Sequence, residues 1–285
     1  MKKIDFEINK RNVRVNTWGD LNSTPIIFLH GLGGTGISCI EIANHLENDF
    51  FIVSPDLPGH GHTESFDNAK EYEMPNLLIW LEKVISKFVV GKYRIIAHSW
   101  GADIALHHYK KTSKSVSSLI LLDGGYHDKD AKNKQFKTNV QDEIDYCIND
   151  FDNYIFDSYD EAVNTELSNY SRPSLSLTIA TKDLIVSREN KYYWHCKGST
   201  ARGVILSLYK HPTKGTYQSI DNNVFLLHCD YSNSGEWNDL RRTLINYMKK
   251  ESNIKTSMIS DSGHMIHWDK PQEVINNILK IYENI

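Results

Sequence analysis

The chain has 285 residues, 40% of them hydrophobic and 24% charged, with a formal net charge of −4. These are ordinary values for a globular protein, long enough for one large domain or for one domain carrying an insertion. The acidic balance and the lack of any basic block exclude nucleic acid as a main partner, and no apolar run approaches the roughly 20 residues of a membrane span.

The opening run Met1-Lys2-Lys3-Ile4-Asp5-Phe6-Glu7 carries the charge of a signal peptide but places acids where its apolar core would fall. Residues 4–9 and 12–18 alternate polar and apolar around Asn9-Lys10-Arg11-Asn12, the pattern of a β-hairpin. Pro25-Ile26-Ile27-Phe28-Leu29-His30 is a continuous apolar run, as in a strand buried on both faces. It ends in the glycine-rich loop His30-Gly31-Leu32-Gly33-Gly34-Thr35-Gly36. A helix over about 38–47 and a second buried strand, Phe50 to Ser54, lead to the turn-forming run Pro55-Asp56-Leu57-Pro58-Gly59-His60-Gly61. A helix over about 74–90 is followed by the strand Tyr93-Arg94-Ile95-Ile96-Ala97-His98 and then Ser99-Trp100-Gly101. The next helix reaches about Lys111, and Val116 to Asp123 forms the next strand.

Alternating strands and helices predict a mostly parallel twisted sheet with helices on both faces, an α/β fold. In such sheets ligands bind beyond the carboxyl ends of the strands, where the glycine loop, the Asp56 loop, Ser99 and Asp123 all fall. From 125 to 222 the apolar strands give way to Tyr, Asp, Asn and Lys, with amphipathic helical stretches at 139–150 and 159–170. This predicts an inserted helical cap, residues 125–222, on a core made of 1–124 and 223–285. The strand series resumes at Asn223 to Cys229, followed by a helix over about 237–250 and a strand near 256–260. The loop Asp261-Ser262-Gly263-His264-Met265-Ile266-His267-Trp268 and a helix from Pro271 close the chain.

The run through Ser99 has the layout of a nucleophile elbow, small-x-Ser-x-small between a strand and a helix, with Ala97 where glycine is usual. A serine hydroxyl needs a base within reach, and the loop after the last strand offers His264, with His267 as its neighbour and competitor. The glycine loop can also be read as a phosphate cradle, but it lacks the Gly-Lys-Ser/Thr ending of a P-loop. As a dinucleotide fingerprint, Gly31 to Gly36 with Asp56 meets the letter of the pattern and remains a competing reading. Asp56 is read as structural, tying its loop through backbone N–H groups.

Four separated motifs, His30-Gly31-Leu32-Gly33-Gly34, Asp56-Leu57-Pro58-Gly59-His60-Gly61, Ala97-His98-Ser99-Trp100-Gly101 and Ser262-Gly263-His264-Met265, together resemble the α/β-hydrolase superfamily, in its carboxylesterase- and lipase-like serine hydrolase branch. The resemblance covers nearly the whole chain except the cap. It implies Ser99 as nucleophile, His264 as base, and the backbone N–H groups of Leu32 and Trp100 as the oxyanion hole. Most members carry their acid three residues past a glycine after the penultimate strand, and the corresponding position here is Ser232 in His228-Cys229-Asp230-Tyr231-Ser232. Some lipases and dehalogenases of this fold take it instead from the preceding strand, where this chain has Asp123. Asp123 is the candidate acid; Asp230 and Glu236 are the alternatives.

The expected function is a cytoplasmic serine hydrolase that cleaves a small ester or related acyl substrate through an acyl-enzyme. It would need no cofactor and no metal, and its partner would be a small-molecule substrate. The four cysteines, Cys39, Cys147, Cys196 and Cys229, share no metal-ligand spacing and are read as free thiols. C–C bond hydrolases and thioesterases use the same triad, and a non-catalytic or weakly catalytic small-molecule receptor on this fold is the alternative from another class. Tyr126, Tyr154, Phe156 and Tyr192-Tyr193-Trp194 either favour an apolar or aromatic group in the pocket or form the core of the cap itself.

Overall fold

The computed structural model describes residues 1–127, 139–231, 233 and 235–284. The chain opens with an antiparallel hairpin, β1 (Lys2–Ile8) and β2 (Arg11–Trp18). Its two-residue turn, Asn9 and Lys10, has φ of 54° and 66°, the left-handed pair whose twist matches that of the strands. β3 (Thr24–Leu29) follows, with Ile26 to Leu29 fully buried because helices cover both faces of the sheet there. The glycine loop then enters a short 3-10 turn, Gly36–Cys39, before α1 (Ile40–Leu46). The expected helix from residue 38 thus begins as a tighter turn.

β4 (Phe50–Pro55) leads through the Asp56 loop to α2 (Met74–Phe88), which buries Leu77, Leu78, Leu81, Val84 and Ile85 along one stripe at i, i+3, i+4 spacing. β5 (Tyr93–His98), α3 (Trp100–Thr112) and β6 (Val116–Leu122) form the centre of the molecule.

Between β6 and the next core strand lie α4 (Val140–Asp152), β7 (Ile155–Phe156), α5 (Tyr159–Ser168), α6 (Leu175–Lys182), β8 (Ile185–Arg188), β9 (Lys191–Trp194) and α7 (Gly198–Lys210). Three of these helices, α4, α5 and α6, start on side-chain caps at Asn139, Ser158 and Ser174. This segment is not wholly helical: β7, β9 and β8 form a small antiparallel sheet of their own. Its hairpin turns at Glu189 and Asn190, both at positive φ (49° and 62°), so the turn forms without the glycine that would have marked it in the sequence.

The core closes with β10 (Val224–Cys229), α8 (Glu236–Glu251), β11 (Lys255–Ile259), the short α9 (Ile266–Asp269) and α10 (Pro271–Glu283). The main sheet runs β1-β2-β4-β3-β5-β6-β10-β11, antiparallel at β1, β2 and β4 and parallel from β4 onward. Among the described residues no helix is long and apolar enough to cross a membrane.

Candidate functional site

β5 ends at His98 and α3 begins at Trp100, leaving Ser99 alone between them at φ 51°, ψ −121°. Few residues with a side chain occupy that region, and the strain persists only because the surroundings over-determine it. One of those surroundings is Gly124, where a Cβ would lie 2.5 Å from the Ser99 carbonyl oxygen. Ala97 is fully buried and pairs across the sheet with Leu29 and Leu121, a place for a small side chain.

Ser99 Oγ lies 2.9 Å from His264 Nε2, and His264 Nδ1 lies 2.7 Å from Asp123 Oδ2. Three elements supply these groups: the β5–α3 turn, the loop after β11, and the residue just past β6. Asp123 takes the ring nitrogen that any other acid would have to use, so Asp230 and Glu236 stand outside this chain of hydrogen bonds; Ser232 lies outside the described residues.

Asp123 is fully buried and densely supported. Its Oδ1 accepts from the Cys229 backbone N–H at 3.1 Å and the Tyr126 hydroxyl at 2.9 Å. Its Oδ2 accepts from the Tyr231 hydroxyl at 2.7 Å, and Arg241 Nη1 is 3.7 Å away. Burial alone would raise the Asp123 carboxyl; the His264 hydrogen bond and charge, with Tyr231 and Arg241, outweigh it and hold the group well below the usual carboxylate range. An ionised Asp123 requires the ring proton of His264 on Nδ1 and leaves Nε2 free to accept from Ser99.

Two further histidines pack beneath this arrangement. His98 Nε2 donates to the His264 carbonyl at 3.0 Å, and its ring sits 4.8 Å from that of His264. Burial, then the charges of His267 and His264, keep His98 neutral. His267, the competing base in the sequence, is buried with both ring nitrogens unpartnered among the described residues, and burial pushes it down to about 3.

The glycine loop runs directly over the serine: a Cβ on Gly31 would lie 2.9 Å from Ser99 Cβ. Among the described residues Leu32 N–H donates to no backbone acceptor, and Trp100, as first residue of α3, has none within its helix. His30 braces the loop, donating from Nδ1 to Gly31 O at 2.8 Å and accepting at Nε2 from Leu57 N–H at 2.9 Å. Asp56 accepts from the backbone N–H groups of Gly36 at 2.7 Å and His62 at 2.8 Å, so the carboxylate a dinucleotide ribose would need is already engaged.

A cavity of about 200 Å³ opens over Ser99 and His264, walled by Leu32, Trp100, Trp237 and Arg241 and, from the segment between β6 and β10, by Glu143, Cys147, Ile205 and Leu208. Among the described residues no group of three or more His, Cys, Asp or Glu could hold a metal ion. Sequence reasoning missed Tyr126, Tyr231 and Arg241 as partners of Asp123. Only Tyr126, three residues beyond the acid, left a local signal; the others are brought in by β10 and α8. Of the remaining aromatic residues, Tyr154 packs edge-on against Phe156 and Trp194, at 4.8 and 5.5 Å between ring centroids.

A family model described as the alpha/beta hydrolase fold matches residues 24–271. The chain is similar to Protein PHYLLO, chloroplastic, of Arabidopsis thaliana, 27% identical over 161 residues that cover 54% of this chain and 9% of that protein. It is also similar to the Serine hydrolase-like protein of Homo sapiens, 25% identical over 112 residues, 39% of this chain and 55% of that one. The chain therefore spans from under a tenth to about half the length of these curated relatives. Among solved structures it superposes on E-2-(acetamidomethylene)succinate hydrolase with a TM-score of 0.81 over 99% of both chains at 12% identity, a likeness of fold.

Proposed function

This chain belongs to the alpha/beta hydrolase family, and from that premise we propose that it is a serine hydrolase acting on a small ester or related acyl compound. The observation that carries the reading is the continuous path from Ser99 Oγ through the His264 ring to Asp123, at 2.9 and 2.7 Å. Ser99 Oγ attacks the substrate carbonyl while His264 Nε2 takes its proton. The bond to the leaving group then breaks, and His264 returns the proton to that group. Water, deprotonated by the same nitrogen, attacks the acyl-serine, releases the acid and restores the serine. Asp123 fixes the ring tautomer and stabilises the imidazolium.

The backbone N–H groups of Leu32 and Trp100 receive the developing oxyanion, each such donor contributing roughly 3 kcal/mol to the transition state. Residues 1–124 and 223–285 are read as the catalytic core and 125–222 as a cap that completes the Ser99 cavity and selects the substrate.

A fluorophosphonate probe tests the reading. Covalent labelling of Ser99, absent in Ser99→Ala, with turnover of p-nitrophenyl esters of graded chain length, is the expected result. A chain inert to both would overturn it in favour of a ligand-binding role.

A further inference from the structure

A second cavity, of about 220 Å³, shares Leu32 with the Ser99 cavity and extends along the glycine loop from Gly31 to Gly34. Its wall is mostly carbon, from Trp194, Trp268, Tyr170, Leu184 and Met265. Both indole N–H groups are already used, Trp194 on the Gly33 carbonyl at 3.0 Å and Trp268 on the Ser38 carbonyl at 2.7 Å. What the tryptophans offer the cavity is therefore ring carbon and π surface.

One carboxyl interrupts this wall. Glu166, on α5, is only 6% exposed. Its Oε1 accepts from the Tyr154 hydroxyl and its Oε2 from the Tyr170 hydroxyl, the latter at 3.4 Å. Neither phenol brings a positive charge, and among the described residues Glu166 forms no ion pair. Burial pushes its carboxyl above the ordinary range against these two hydrogen bonds, and the formal charge acting on it is that of Asp150, of the same sign. His98, which also borders the cavity, is held neutral by burial. A buried carboxylate without a cation is a costly arrangement for a protein to keep. Aromatic faces grouped around a carboxylate are the chemistry that receives an organic ammonium ion, by attraction to the rings and to the counter-charge together.

We propose that this aromatic cavity binds an organic ammonium group, with Glu166 as its counter-ion and Trp194, Trp268 and Tyr170 as its walls. Resting on the serine-hydrolase reading, the substrate is then an acyl compound with a cationic end: the carbonyl lies over Ser99 and the ammonium lies beyond Leu32. The binding of the ammonium itself does not depend on that reading.

The experiment is calorimetric titration of benzylammonium and of its neutral analogue benzyl alcohol into the whole chain near neutral pH. Wild type is expected to bind benzylammonium at least tenfold more tightly than benzyl alcohol, and Ser99→Ala to keep that preference. Glu166→Gln, which preserves size and removes the charge, is expected to bring the ratio close to one. Equal binding of the two compounds by wild type, or a preference that survives in Glu166→Gln, would overturn the proposal. If Glu166→Gln does not fold, Trp194→Leu takes its place: it must weaken benzylammonium more than benzyl alcohol, and an equal loss for both refutes the site. Fluorophosphonate labelling of Ser99, scored separately, shows whether the hydrolase reading stands or falls on its own.

Discussion

The Tyr231 hydroxyl and the His264 ring share one oxygen of Asp123, each at 2.7 Å from Oδ2. The carboxylate is therefore anchored from β10 as well as engaged with the ring. A hydrogen bond to a buried charged group contributes about 1.5–3 kcal/mol. Tyr231→Phe is expected to lower the unfolding free energy by an amount in that range, measured in urea. Because Tyr126 and the Cys229 N–H still hold Asp123, ester turnover should fall less than tenfold. A collapse of turnover to the level of Asp123→Asn would show that Tyr231 does more than anchor.

Under the proposed chemistry the three residues of the path act as a unit. Ser99→Ala and His264→Ala should each lower kcat by roughly 10⁴–10⁶, and Asp123→Asn by about 10⁴, with small changes in KM. Asp230→Ala and Glu236→Ala should stay within a few-fold of wild type. Steady-state kinetics on a p-nitrophenyl ester separates these cases, and near-normal turnover by Asp123→Ala would remove it as the acid.

Acid sensitivity has two sources with different pH windows. Burial drives His267 and His30 down to about 3 and His195 to about 4, below the roughly 6.5 of an unfolded histidine. Between those values the unfolded chain binds more protons than the folded one, so stability falls as pH drops from about 6.5. Asp123 acts lower: its folded value is depressed, so its contribution is complete above the unfolded carboxylate value of about 3.9 and is lost as pH falls below it. Asp56, which burial pushes up to about 7, acts in the opposite sense over this range but is outnumbered by the buried histidines, so urea unfolding should show stability rising with pH from about 4 to 6.5 and levelling off by pH 8. His267→Leu should flatten that slope and, by relieving two unpartnered ring nitrogens, add about 1 kcal/mol even at pH 8.

Gly124 stands against the back of the elbow. A methyl group there would meet the Ser99 carbonyl oxygen at 2.5 Å and its Cα at 2.7 Å. Gly124→Ala should cost about 1–3 kcal/mol of stability, as overpacking does, and displace Ser99 from His264. The expected signature is a fall in kcat and in the rate of fluorophosphonate labelling together, larger than the stability loss alone would produce.

The sheet and the placing of its loops were legible because buried parallel strands write themselves as continuous apolar runs, as in Ile26 to Leu29 and Leu119 to Leu122. Ser99 could be singled out because it ends the apolar run of β5 in a small-x-Ser-x-small elbow, and His264 because it follows Gly263 in the loop after the last strand. The partners of Asp123 could not. Tyr231 follows β10 by two residues and Arg241 projects from an amphipathic helix, so only the parallel register of β6 with β10 brings them to the carboxylate. The small β7-β9-β8 sheet escaped for a local reason: a Glu-Asn turn at positive φ carries no glycine to announce it. Glu166 was hidden by its helix, where a charged residue among polar neighbours reads as solvated surface.

Among the described residues β11 is an edge strand, hydrogen-bonded to β10 alone, and the His264 loop hangs from its end. Ser99 and Asp123, by contrast, follow strands held on both sides. Edge elements fray at lower free-energy cost than the centre of a sheet. The three groups therefore differ in mechanical security, and warming is expected to detach the histidine while the serine and the aspartate remain in place. Loss of function would then precede melting, reverse on cooling, and make activity a more sensitive thermometer of this protein than its fold.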